Sequence, residues 1–201
     1  MTRRMLFVTL SLVFVLTAAG RIHSASGSDD GFDLSDLNKI RIGYRINPVP
    51  LNLHGKNRFL VGLGSYIVNA QADCAGCHST PQYEEGGDPH LGQEERISTS
   101  TFLSGGGDLF GPFVPRNLTP NSQGRPGNLT LQQFLEVFRR GTDFETGNPG
   151  NVPVPSPDND LLQVMPWPVF SKMTILEKRA IYEYLRAIPC IGSPARCGTA
   201  P

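Results

Sequence analysis

The chain has 201 residues, enough for one domain with a leader and extended loops, and its 18 basic and 18 acidic residues give a formal net charge of zero. No basic stripe runs along it, so a nucleic-acid partner is not expected. The 22 glycines and 17 prolines indicate short helices joined by long connections, a composition that gains stability from a large apolar cofactor at its centre.

The N-terminus has the pattern of a secretory leader. Arg3 and Arg4 precede an apolar run over residues 5–19, shorter than the roughly 20 residues that a membrane span needs. Small residues near the end of the run fit the rule for signal cleavage. We expect a signal peptide over residues 1–20, cut between 19 and 26, and an exported protein. A membrane contact is expected only if the leader stays uncleaved and tethers the chain.

The next segment, residues 21–57, is polar, with isolated apolar positions and two prolines near its end. This composition predicts an extended arm that follows the surface or is partly disordered. A helix is predicted after it, over residues 58–71. Leu60, Leu63, Gly64 and Ile67 fall at i, i+3, i+4 and i+7 and give it one apolar face. Gly64 costs helix stability of about 1 kcal/mol relative to Ala, which is tolerable if another helix crosses closely there.

The pattern C-x-x-C-H follows that helix, with Cys74, Cys77 and His78 as its fixed positions. It is the attachment motif of a c-type haem, since two thiols must reach two vinyl groups on one porphyrin edge and the adjacent imidazole must reach the iron. The motif predicts one covalent haem c, held by thioethers from Cys74 and Cys77, with His78 as the proximal iron ligand.

Three other interpretations of the same motif stay open. A redox dithiol would need a βαβ context, and no clear strand precedes Cys74. Half of a zinc site would need a second cysteine pair, but Cys190 and Cys197 are separated by six residues, outside the usual spacing. A structural disulfide within the motif would close a tight ring.

A long Gly- and Pro-rich segment, residues 80–128, comes next, and loops of this length are usually functional or disordered. Phe102, Phe110 and Phe113 are candidates to cover a haem edge. A second helix follows over residues 131–140. Thr130 begins it with a capping box, and its apolar positions repeat at helical spacing.

Another loop, residues 142–163, leads into Met165, which is followed by Pro166 and Pro168. A thioether on a proline-stiffened segment suits a sixth iron ligand, because little chain entropy is lost when it binds. Met173 is the one other methionine outside the leader region. We predict Met165 as the distal ligand, with Met173, His90 and His54 as alternatives.

The last helix is predicted to begin after Thr174, with Glu177 completing a capping box, and to end at Pro189. Its apolar face carries Ile181, Tyr184, Leu185 and Ile188. In an exported protein the remaining cysteines, Cys190 and Cys197, are expected to form a disulfide that pins the C-terminal loop.

The order of helix, C-x-x-C-H motif, loop, helix, methionine and helix resembles the class I cytochrome c family. Several strings resemble in particular its periplasmic members that serve as cytochrome subunits or partners of quinoprotein dehydrogenases. They span residues 64–68, 116–120, 138–142, 165–167 and 180–186, within a similarity that covers residues 58–190.

This resemblance implies an all-α class I cytochrome c fold over residues 58–190, with crossed first and last helices and His/Met ligation, followed by a tail over residues 191–201. It also implies that residues 117–120 lie along the haem edge and that Asn117 and Trp167 belong to the cofactor-binding residues. The separation of His78 from Met165 exceeds that of small carriers, so the loops between them are candidates for a partner-specific surface.

The function implied is that of a periplasmic one-electron carrier without a catalytic site, because His and Met leave no open iron position. Its partners would be a dehydrogenase as donor and an oxidase or another cytochrome as acceptor. Two other functions stay open: a fixed electron-transfer subunit of a dehydrogenase complex, and a haem enzyme or sensor with an open sixth position.

Overall fold

The protein is described by a computed structural model over residues 33–107, 113–144 and 160–198. The α-helices in these ranges are α1 (Leu34–Ile46), α2 (Arg58–Tyr66), α3 (Cys74–His78), α4 (Leu131–Arg140), α5 (Trp167–Phe170), α6 (Ile175–Leu185) and α7 (Pro194–Cys197). A π-helical turn, Ile67–Gln71, continues α2, and a 3-10 turn covers Pro89–Leu91.

Extended structure in the described ranges is limited to one antiparallel pair and three isolated bridges. Strands β1 (Thr142–Asp143) and β2 (Asp160–Leu161) pair with Thr142 opposite Leu161. The described chain is therefore helix-rich, which is compatible with the predicted all-α class.

The crossing of α2 and α6 forms the centre of the fold. A Cβ at Gly64 would lie 1.9 Å from the carbonyl oxygen of Ala180 and 2.8 Å from Cβ of Tyr184, so only glycine fits at this point. Val61, Leu63 and the other apolar side chains of the crossing are almost completely buried. The close helix crossing expected at Gly64 is thus confirmed.

Helix α1 differs from the sequence-based expectation. The prediction of an extended arm over residues 21–57 is wrong for residues 34–46, which form a helix that packs on α2. Asp33 caps this helix and forms a capping box with Asp36. A Cβ at Gly43 would lie 2.1 Å from the carbonyl oxygen of Gly62. The backbones of α1 and α2 therefore approach each other closely, a contact that the spacing of apolar residues does not predict.

Helices α4 and α6 begin as their sequences predict. Thr130 and Gln133 form one capping box, and Thr174 and Glu177 form the other. Gly141 ends α4 in the left-handed conformation with a φ of 71°, which glycine adopts without strain. Both boxes are local, so they follow from the sequence alone.

The segment predicted as one helix over residues 58–71 is divided into α2 and the π-helical turn. The amide of Ala72 donates to the carbonyl of Ile67 at 2.8 Å, a bond one residue longer than in an α-helix. Single π-turns of this kind are frequent next to functional sites. Here the turn directly precedes the C-x-x-C-H motif.

One buried hydroxyl connects three parts of the fold. The Tyr184 hydroxyl donates to Oδ1 of Asn47 at 2.9 Å and accepts from Nδ2 of Asn69 at 3.1 Å. Asn47 ends α1 and Asn69 lies in the π-helical turn. Because buried polar groups need partners, this set of bonds fixes α1 and the π-turn against α6.

The C-terminal tail is closed by the predicted Cys190–Cys197 disulfide, whose Cα atoms lie 5.6 Å apart. The predicted signal peptide, its cleavage region and Phe110 lie outside the described residues. In the part of the chain that the structure describes, no helix combines the length and apolar character needed to cross a membrane.

Candidate functional site

A cavity lies between α3, α4 and the chain segments around residues 113–118, 126–129 and 162–166. Native cores contain few voids larger than a water molecule, so a cavity of this extent indicates a place for a ligand. Its lining is mainly apolar and comes from Phe113, Val114, Pro115, Leu118, Pro126, Leu129, Phe134, Val137, Phe138, Phe144, Leu162, Val164, Pro166, Phe170, Ile181 and Leu185. An occupant would therefore have to be largely apolar.

Four of the residues singled out in the sequence line this cavity together: Cys74, Cys77, His78 and Met165. The three motif residues come from one helix, α3, and Met165 comes from the segment before α5. His78 and Met165 are separated by almost ninety positions in the chain, so the fold, and not local sequence, brings Met165 to the motif.

The start of α3 is fixed by Asp73. Its backbone is left-handed with a φ of 43°, a conformation in which aspartate is enriched among non-glycine residues. Its side chain accepts from the amide of Gly76 at 3.2 Å. A Cβ at Gly76 would lie 2.6 Å from Oδ2 of Asp73. The glycine inside the motif thus makes room for the carboxylate that caps the motif helix.

The imidazole of His78 is held by one hydrogen bond to the backbone. Nδ1 lies 2.8 Å from the carbonyl oxygen of Arg116, and because a carbonyl only accepts, Nδ1 carries the proton and donates. Nε2 is then the unprotonated nitrogen, the form that binds a metal ion. Burial lowers the pKa of His78, which also favours the neutral ring.

Two loop segments bring the Arg116 carbonyl to His78. The amide of Gly105 donates to the carbonyl of His78 at 2.7 Å, and the amide of Leu118 donates to the carbonyl of Leu103 at 2.8 Å. A Cβ at Gly105 would lie 2.5 Å from the carbonyl carbon of Arg116. The glycine-rich stretch therefore permits two backbone segments to approach each other beside His78.

Arg116 is one of the residues that line the cavity, and its side chain forms an ion pair with Asp143 in β1. Asp143 is fully buried, whereas the Arg116 side chain remains about one-fifth exposed. The buried carboxylate thus neutralises the charge of a residue at the cavity wall. The sequence analysis did not identify either residue. Arg116 lies in a string that carries the family resemblance, but nothing in the sequence marks Asp143.

The thiols of the motif lack the depressed pKa values that are typical of a redox dithiol. Burial raises the pKa of Cys74 to about 12, and burial also raises the pKa of Cys77, with the Asp73 carboxylate adding to both shifts. Redox-active dithiols instead have depressed thiol pKa values. Neither cysteine is disulfide-bonded.

The zinc interpretation lacks the residues that it needs. Over the described ranges, no group of three or more His, Cys, Asp or Glu side chains is placed to hold a metal ion. A haem needs a different donor set, namely two unpaired thiols, an imidazole with one free nitrogen, a second axial donor and apolar walls. The residues of this cavity fit those requirements.

Two predicted cofactor residues are used in other contacts. Asn117 donates from Nδ2 to the carbonyl of Ile191 at 2.7 Å, and its Oδ1 accepts from the amide of Thr119 at 2.9 Å. Trp167 donates from Nε1 to the carbonyl of Leu162 at 3.3 Å, and its ring covers Gly141. Asn117 and Trp167 are not among the residues that line the cavity, whereas their immediate neighbours Arg116, Leu118 and Pro166 are.

The alternative ligands are not brought to the cavity wall in the described structure. His54 and His90 are exposed, and the ring of His90 contacts the edge of Tyr83. Met173 packs against the hydrophobic core. Of the three phenylalanines expected to cover a haem edge, Phe113 lines the cavity and Phe102 is buried in the core instead.

Comparison with known proteins finds a distant relative. The chain is 28% identical over 141 residues to the fructose dehydrogenase cytochrome subunit of Gluconobacter japonicus. The alignment covers 69% of this chain and 22% of that protein, so the chain spans about a fifth of the relative's length. No family model matches the chain, and no solved structure matches it.

Proposed function

We propose that the protein is an exported monohaem c-type cytochrome that acts as a one-electron carrier. The observation that carries this proposal is the convergence of Cys74, Cys77, His78 and Met165 on one apolar cavity. The similarity to a protein named as a cytochrome subunit supports the electron-transfer cytochrome part of this proposal.

In this proposal the thiols of Cys74 and Cys77 would hold the haem through thioethers, and Nε2 of His78 and the sulfur of Met165 would be the two protein donors to the iron. Bound haem iron supplies a reversible Fe(III)/Fe(II) couple. The Arg116 carbonyl orients the imidazole and makes it a stronger donor through the bond to Nδ1. The apolar lining excludes water, which favours the less charged state of the site.

The same ligand set gives the protein no catalytic site of its own. With imidazole and thioether both bound, no position is left for a substrate, so electron transfer to other proteins is the remaining activity. We propose a dehydrogenase as the donor and an oxidase or another cytochrome as the acceptor, in the periplasm. Such encounters are weak and use small interfaces.

A second candidate is a fixed electron-transfer subunit of a dehydrogenase complex. It is favoured by the relative's name, which describes a subunit of a dehydrogenase. The two candidates share their chemistry and differ in their partner. Stable co-purification with a large catalytic subunit from the native source would select the fixed subunit, and isolation as a single chain would select the mobile carrier.

Protein film voltammetry together with carbon monoxide binding tests the proposed chemistry. The haem-loaded protein should show a reversible one-electron couple, and its reduced form should not bind carbon monoxide rapidly. Rapid binding would instead indicate an open sixth position and the haem enzyme or sensor alternative. Absence of any one-electron couple would contradict both the carrier and the haem enzyme or sensor.

A further inference from the structure

The C-terminal tail is hydrogen-bonded to the segment 117–119, although more than seventy residues separate them. Nδ2 of Asn117 donates to the carbonyl of Ile191 at 2.7 Å, and the amide of Ile191 donates to Oγ1 of Thr119 at 3.1 Å. Thr119 is fully buried. These bonds occupy the Asn117 side chain that the sequence analysis assigned to the cofactor.

Arg196 binds the same segment from the other end of the tail. Its guanidinium donates to the carbonyl of Thr119 at 2.6 Å and to Oδ1 of Asn128 at 3.1 Å. Its carbonyl accepts from the amide of Ser122 at 2.8 Å. The segment is thereby held along its backbone as well as through its side chains.

Ile191 and Arg196 lie within one covalent ring, because the Cys190–Cys197 disulfide closes the chain around them. Within the ring, Ser193 caps the short helix α7 and accepts from the amide of Arg196 at 3.3 Å. A closed ring limits how far either residue can move without the other. Two separate attachment points on segment 117–119 are therefore held at a fixed spacing.

Arg116 directly precedes this segment, and its carbonyl is the acceptor for Nδ1 of His78 at 2.8 Å. The peptide plane that contains this carbonyl is shared with the nitrogen of Asn117. Holding Asn117 and Thr119 consequently sets the direction in which the carbonyl points.

We propose that the disulfide-closed tail, residues 190–197, positions the imidazole of His78 by fixing the carbonyl of Arg116 through segment 117–119. This inference rests on the proposed haem function and assigns Ile191 and Arg196 as positioning residues. The consequence can be measured as a reduction potential. A hydrogen bond from Nδ1 makes the imidazole a stronger donor and stabilises the ferric state, so a looser carbonyl should raise the potential.

The test compares two variants of the haem-loaded full chain. Cys190→Ser/Cys197→Ser opens the ring, and Arg196→Gln keeps the disulfide but removes the guanidinium contacts. Because Arg196→Gln leaves the covalent ring in place, it serves if the disulfide variant fails to fold. Arg41→Gln, on the exposed face of α1, is the matched control. Amide hydrogen exchange over residues 116–122, the NMR signal of the His78 Nδ1 proton and the midpoint potential are measured for each protein.

We expect both tail variants to exchange faster over residues 116–122, to shift the Nδ1 proton signal and to raise the potential, with the control unchanged. Faster exchange with an unaltered Nδ1 signal and potential would overturn the inference, since the tail would then be only a structural support. Unchanged exchange would also overturn it. The proposed haem function fails separately, if the parent protein carries no haem.

Discussion

At the scale of single residues, His78 and Met165 reach the cavity by different means. His78 belongs to a five-residue motif, and a backbone carbonyl at 2.8 Å holds its ring. Met165 is half-buried and lies just before α5, followed directly by Pro166. The first position follows from a local pattern. The second depends on how a loop of the fold returns to the motif.

Met165→Leu should remove the distal donor with little change in volume. Because a thioether stabilises the ferrous state, we expect the potential to fall, the visible spectrum to change and the reduced protein to gain carbon monoxide binding. Met173→Leu is the control, since Met173 is not among the residues that line the cavity in the described structure. Identical spectra and potentials for the two variants would show that Met165 is not the ligand.

Asp143→Asn should destabilise the protein because it removes the charge of a fully buried carboxylate that pairs with Arg116. Breaking a fully buried ion pair costs 3–5 kcal/mol, and the partial exposure of Arg116 lowers our expectation to about 2 kcal/mol. Urea denaturation of the haem-loaded protein measures it. Glu84→Gln, in the exposed pair with Arg96, should cost less than about 0.5 kcal/mol. Equal losses of unfolding free energy in Asp143→Asn and Glu84→Gln would contradict a stabilising role of the buried pair.

At the scale of elements, the crossing of α2 and α6 depends on a missing side chain. Gly64 places the α2 backbone against the carbonyl of Ala180, and Gly62 in the same helix lies under Ile40 and Tyr44 of α1. One helix therefore serves as the contact surface for two others. The motif helix α3 follows it through the π-helical turn, so its position depends on both crossings.

Gly64→Ala should destabilise the fold by about 3 kcal/mol, because its methyl group would overlap a backbone carbonyl that cannot rotate away. Thermal unfolding of the haem-loaded protein is the measurement. Gly55→Ala is the matched control, with a left-handed φ of 66° and no atom within 4 Å of the added Cβ, and should cost about 1 kcal/mol. A Gly64→Ala variant as stable as the control would contradict the close crossing.

The elements with local determinants could be predicted from the sequence. Thr130 with Gln133 and Thr174 with Glu177 begin their helices by hydrogen bonds within one turn. Helix α1 has the same kind of local signal, a capping box of Asp33 and Asp36, which the prediction missed; its packing face is also hard to recognise, because only Ile40 and Gly43 of its residues are buried. Helix α1 is stabilised by contact with α2, and the sequence of α1 alone does not reveal this contact.

At the scale of the whole molecule, the site is completed by contacts between distant segments. The bond from His78 to Arg116 spans 38 positions, and that from Asn117 to Ile191 spans 74. The motif and the candidate methionine could be selected from sequence because their chemistry is specific. The roles of Asn117, Asp143 and Arg196 could not, since each depends on a partner from another part of the chain.

The long loops have a corresponding role in this account. Residues 103–106 and 115–118 form successive backbone layers beside His78, joined by amide-to-carbonyl bonds. Segment 117–119 then connects those layers to the disulfide-closed tail. The glycine-rich stretch therefore permits close approach of two backbone segments beside His78 without an additional helix.

Covalent attachment of one haem is the central claim, and intact mass spectrometry under denaturing conditions tests it most directly. The protein is produced with haem-maturation machinery, beside a Cys74→Ala/Cys77→Ala control. The parent chain should keep the mass of one haem after acid–acetone treatment, and the control should not. A parent chain at its bare polypeptide mass, with the pigment lost to the solvent or never acquired, would contradict it.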